Sequence, residues 1–111
     1  MKRDPNDKLK FKIGEEFENW EFELNAIPPY EIMENGLTYQ IYEHIGEPIY
    51  LFQYPISTTL LFFNTDILQR VVYQIDLKFK GKIMESFKSS ESTLKLTINY
   101  RQIELVDEFI K

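Results

Sequence analysis

Tyr30-Glu31-Ile32-Met33-Glu34-Asn35-Gly36-Leu37-Thr38-Tyr39-Gln40-Ile41-Tyr42-Glu43-His44-Ile45 sets the architecture of this 111-residue chain. Asn35-Gly36 is the dipeptide best able to adopt the positive φ angles of a two-residue hairpin turn. Beyond it, Leu37, Tyr39, Ile41 and Ile45 alternate with Thr38, Gln40, Tyr42 and His44. A period of two sends successive side chains to opposite faces of a strand. The run therefore predicts an antiparallel hairpin with Leu37, Tyr39 and Ile41 facing inward and Tyr42 and His44 facing outward.

Downstream the period of two persists. Gly46-Glu47-Pro48 turns the chain into a strand over 49–54, which Pro55 ends, and 58–63 form a further apolar strand before the turn Asn64-Thr65-Asp66. Val71, Tyr73, Ile75, Leu77 and Phe79 predict one face of a long strand over 71–80, closed or bulged at Gly81. Residues 85–93 read as a polar loop and 94–100 as another strand. In the tail, Ile103, Leu105, Val106, Phe109 and Ile110 fall within about 160° of helical arc, which suits a short C-terminal helix.

Upstream, Lys8-Leu9-Lys10-Phe11-Lys12-Ile13 alternates as a half-buried strand. Ile13, Phe17, Trp20, Leu24 and Ile27 then lie within about 80° at 100° per residue, predicting a helix over 15–26 that Pro28-Pro29 terminates. Phe22 falls almost opposite that stripe, among Glu15, Glu18, Glu21 and Glu23. Strands joined by short turns pair antiparallel. The expected fold is α+β: one domain over 1–111, with residues 1–7 flexible and a single curved, mostly antiparallel sheet of six or seven strands packed by the N-terminal helix. A chain of this length removes roughly two thirds of its extended surface from water on folding, enough for a core without disulfides.

Charge is segregated along the chain. Residues 13–69 contain no Lys or Arg but ten acidic residues, whereas all 13 basic residues and 8 acidic ones lie outside that block. The overall charge is −5. Such segregation predicts a two-sided electrostatic surface.

Little else in the chain suits catalysis. There is no Cys, which excludes disulfides and thiolate chemistry, and there is one His. On a strand, His44 points away from Glu43, and no nucleophile motif accompanies it. Isolated glycines exclude a phosphate-cradling loop. A metal would find one His and carboxylates in no known loop spacing. No catalytic residue, cofactor or metal is expected. Lys stripes in an acidic chain do not suit nucleic acid. The longest apolar run, Leu60-Leu61-Phe62-Phe63, is too short for a membrane span. The expectation is a cytoplasmic protein-binding module, an inhibitor or immunity-type protein, engaging a basic partner such as a toxin or nuclease. Its candidate contact residues are Glu15, Glu18, Glu21, Phe22, Tyr42, His44, Tyr50, Phe52 and Tyr54, and self-association stays open. The alternatives are a small-ligand domain using a concave sheet face and a small enzyme using His44.

Overall fold

The computed structural model describes residues 10–51, 53–88 and 94–108. The hairpin forms around Asn35 and Gly36 at φ 52° and 81°. Its arms are β1 (Leu24–Glu34) and β2 (Leu37–His44), paired antiparallel from Glu34–Leu37 onward. Next come a separate two-stranded hairpin, β3 (Tyr50–Leu51) and β4 (Tyr54–Pro55), and the strands β5 (Thr58–Asn64) and β6 (Ile67–Asp76). A single-turn 3-10 helix (Leu77–Phe79) leads into α1 (Lys80–Lys88), followed by β7 (Lys95–Ile98) and β8 (Gln102–Glu108). The main sheet has six strands in the order β1-β2-β5-β6-β8-β7, every neighbour antiparallel. With one short α-helix among the described residues, the fold is broadly α+β. No described helix is long and apolar enough to cross a membrane.

Several local expectations are corrected. The helix over 15–26 is replaced by two single-turn 3-10 helices, Phe17–Asn19 and Glu21–Glu23, after which β1 begins at Leu24. Phe17 and Trp20 do pack on the core; their three-residue spacing suits a 3-10 turn as well as an α-helix. Pro28-Pro29 does not end a helix. It lies within β1, in a bulge between Ala26 and Glu31 on a sheet edge, where missing N–H groups cost no ladder bonds. Residues 10–13 form no strand, and 8–9, like 1–7, lie outside the described residues.

The 49–54 strand is instead the small β3–β4 hairpin, with Gln53 at φ 71°. The 71–80 strand stops at Asp76, whose carboxylate accepts from Lys78 N at 2.8 Å and starts the following turn. Helix α1 then occupies part of the segment read as a loop. The described part of the tail is not helical: β8 pairs with Arg70–Asp76 of β6, with Ile103 and Leu105 on one face and Val106 on the other, while Phe109 and Ile110 lie outside the described residues. Apolar residues on both faces of one strand had imitated a helical arc.

Both sheet faces are apolar. One carries the main core of Leu61, Phe63, Leu68, Val71, Tyr73, Ile75, Ile103 and Leu105. It is roofed by Phe11, Phe17 and Trp20 of the N-terminal segment, by Leu51 of the β3–β4 hairpin and by Ile83 of α1. Burying each such side chain contributes roughly 1.5–3 kcal/mol. The other face carries Tyr39, Ile41, Phe62 and Val72, flanked by Ile27, Ile32, Leu37, Leu60 and Val106, all of them strand residues.

Candidate functional site

The sheet order turns the segregated sequence into segregated space. Strands β1, β2 and β5 fall in the block without Lys or Arg, whereas Arg70 lies on β6, Lys95 on β7, Lys80 and Lys82 on α1, Lys78 on the 3-10 turn before it and Arg101 just before β8. The cations therefore lie on and around the other half of the sheet, whose strands also carry Asp76, Glu104, Asp107 and Glu108.

Phe22 stands at the acidic end. Just beyond the Leu24–His44 pair, Ile45 N donates to Glu23 O at 2.8 Å, so residues 22–23 run beside 45–46. Phe22 is 92% exposed and Ile45 58% exposed. Glu18 and Glu21 are exposed on the two turns leading to Phe22. Glu18 also lines a recess of about 370 Å³ with Glu16, Phe17, Thr65, Asp66 and Ile67. Tyr50 is 62% exposed on the neighbouring hairpin.

The remaining expected contact residues divide differently. Glu15 is half-buried and turns back on its own segment, where its Oε1 accepts from Lys12 N at 2.6 Å. Tyr42 lies on the roofed face, with its ring 4.9 Å from Phe17 and 5.7 Å from Phe63. The inward and outward faces expected for β2 are thus exchanged with respect to the main core. Tyr54 packs against Phe79 at 5.3 Å, and Phe52 lies outside the described residues.

His44 is also on the roofed face, and its side chain is 4% exposed. Its Nε2 lies 3.1 Å from Glu23 Oε1 and 3.3 Å from Lys10 Nζ, while Lys10 donates to the same carboxylate oxygen at 2.5 Å. Phe11 meets the imidazole edge-on at 5.1 Å. The bond from Lys10, and then that involving His44, holds the Glu23 carboxyl below the usual range. Gly46 is required here by space, since a Cβ would sit 2.6 Å from Glu23 Oε1 and 2.8 Å from His44 Nε2. The cluster ties the N-terminal segment and the Glu21–Glu23 turn to the end of β2. A recess of about 240 Å³ adjoins it, lined by residues that include His44, Gly46, Glu47, Ile49, Ser57 and Thr59.

Sequence reasoning missed a second cluster on the unroofed face. Arg70 donates from Nε to Glu108 at 2.8 Å and from Nη1 to Glu34 at 2.9 Å, with its guanidinium 5.3 Å from the Tyr39 ring and 5.2 Å from the Phe62 ring. Arg70 holds the Glu34 carboxyl below the usual range. The visible signal was Arg70 itself, a cation in the middle of an apolar strand. Its partners, 36 and 38 residues away, could not be read without the strand order. Compared with known protein families, curated proteins and solved structures, the chain matches none.

Proposed function

We propose that this chain is a protein-binding module, an inhibitor or immunity-type protein working in the cytoplasm, whose acidic aromatic surface around Phe22 engages a basic partner such as a toxin or nuclease. The observation that carries the reading is the 92% exposure of Phe22 beside Ile45, on the half of the sheet that lacks Lys and Arg. An aromatic left in water does nothing for the chain's own core, whereas at an interface it supplies an anchor of about 2 kcal/mol or more. Surrounding carboxylates accelerate encounter with a cationic surface and weaken in salt.

Two observations favour this reading over its alternatives. Of the recesses described above, that of about 240 Å³ is smaller than the usual small-molecule site and that of about 370 Å³ lies near the small end of the range. The buried imidazole of His44 has its Nε2 engaged by Glu23 and Lys10, an arrangement suited to tying segments together.

The test is co-purification of the chain with the product of the adjacent gene, followed by titration of the purified pair at rising salt. A stable complex whose dissociation constant rises steeply with salt is expected. A partner bound equally well at all salt concentrations, or a small molecule alone that raises the melting temperature, would displace the reading.

A further inference from the structure

The unroofed sheet face carries an ordered row of side chains. Cross-strand register places Glu43 of β2, Leu60 of β5, Val72 of β6, Val106 of β8 and Lys95 of β7 side by side on that face. Three apolar residues occupy the centre, with an acid at one end and a base at the other. The two ends are four strand spacings apart, about 19 Å, too far to meet within one molecule. Among the described residues neither Glu43 nor Lys95 has an ion-pair partner.

We infer that this face is a self-association surface, on which a second copy of the chain packs sheet against sheet about a two-fold axis parallel to the strands. Such an axis reverses the order of strands and leaves position along them unchanged. Val72 then meets Val72 of the second copy, Leu60 meets Val106, and Glu43 meets Lys95 twice, once at each end. An acid of each sheet thus lies over a base of the other at both ends of the row.

The neighbouring rows are compatible with this arrangement. On one side Gln74 faces Gln74, and Thr58 faces Glu104, whose carboxylate also accepts from Gln74 and Gln102. On the other, the two Arg70 guanidinium groups approach the axis already held between Glu34 and Glu108. Strand directions in the two layers stay nearly aligned, as in ordinary sheet-on-sheet packing, and the long Glu43 and Lys95 side chains span the splay that sheet twist produces at the edges. Phe22 lies beyond the paired end of β1 and takes no part, so this surface is separate from the one proposed for a basic partner.

The experiment is sedimentation equilibrium of the full chain up to about 100 µM, with circular dichroism as a check on folding. The wild type is expected to reach twice its 13.4 kDa mass. Glu43→Lys alone, or Lys95→Glu alone, sets like charges against each other at both ends and should raise the dimer dissociation constant at least about tenfold. The double variant Glu43→Lys/Lys95→Glu restores opposite charges across the axis and should return to within about threefold of wild type. A monomeric wild type at every concentration, single variants that dimerise normally, or a folded double variant as weak as the singles would each overturn the inference.

Discussion

One face of the six-stranded sheet lies under a roof formed by the N-terminal segment, the β3–β4 hairpin and α1, and there Leu61, Tyr73, Ile75, Ile103 and Leu105 are fully buried. The opposite face has no such roof among the described residues, yet Tyr39, Ile41, Phe62 and Val72 are only 5 to 9% exposed. The difference lies in what supplies the cover. On the roofed face separate segments do so, and the Lys10–Glu23–His44 cluster ties them to the sheet. On the other, long side chains of the sheet shelter one another, with Arg70 lying over two rings and joining β6 to both β1 and β8.

The largest effect that could break this contrast comes from two neighbours on β8. In urea denaturation at concentrations too low for self-association, Leu105→Ala should cost about 3 kcal/mol, because a sealed core closes poorly around a lost side chain, whereas Val106→Ala on the unroofed face should cost about 1 kcal/mol or less. Equal losses would mean that the two faces are equally sealed. Arg70→Ala should cost about 1–2 kcal/mol, since it removes two charge-assisted bonds and the cover over Tyr39 and Phe62. Arg70→Lys should recover little of that in the same assay, because an ammonium is a point donor and not a planar fork.

The next variants should stabilise the fold. Tyr73 OH is buried without a hydrogen-bond partner, and burial, then the Asp107 charge, pushes its pKa up. Removing an unpaired buried hydroxyl in Tyr73→Phe should gain about 1 kcal/mol in the same denaturation assay. Burial also raises the Asp107 pKa, partly offset by Lys12. Its contribution is therefore present below the ordinary carboxylate range and lost as pH rises through the folded pKa. Asp107→Asn should accordingly raise the melting temperature at pH 7 and leave it nearly unchanged in acid.

The smallest effect has the opposite sign. The lowered pKa of Glu23 contributes stability above the ordinary carboxylate range that is lost as pH falls through the folded value. Because the carboxylate is about a third exposed, water screens the gain. Glu23→Gln should remove only a shallow acid-side slope from the dependence of melting temperature on pH.

These contrasts follow how the chain could be read. The Asn35-Gly36 hairpin was legible because a two-residue turn fixes its own register, and β5 and most of β6 because β-branched and aromatic runs end at recognisable turns. The first half of β1 was hidden: three extra residues around Pro28-Pro29 shift Leu24, Asn25 and Ala26 into pairing with His44, Glu43 and Tyr42. That slip places Glu23 beside His44, so misreading 15–26 as a helix also hid the cluster. Alternation separated the two faces of β2 correctly but could not say which would be roofed, since both are apolar. The exposure of Phe22, by contrast, follows from its place opposite the buried stripe whether the backbone is α-helical or 3-10.

The central claim, that Phe22 and its surrounding carboxylates form a partner surface, is tested most directly by calorimetric titration of the wild-type and Phe22→Ala chains with the purified basic partner, alongside urea denaturation of both chains. The expected result is binding about thirtyfold weaker for Phe22→Ala, with stability within about 0.5 kcal/mol of wild type. Unchanged affinity, or a stability loss of several kcal/mol that makes Phe22 part of the core, would contradict it.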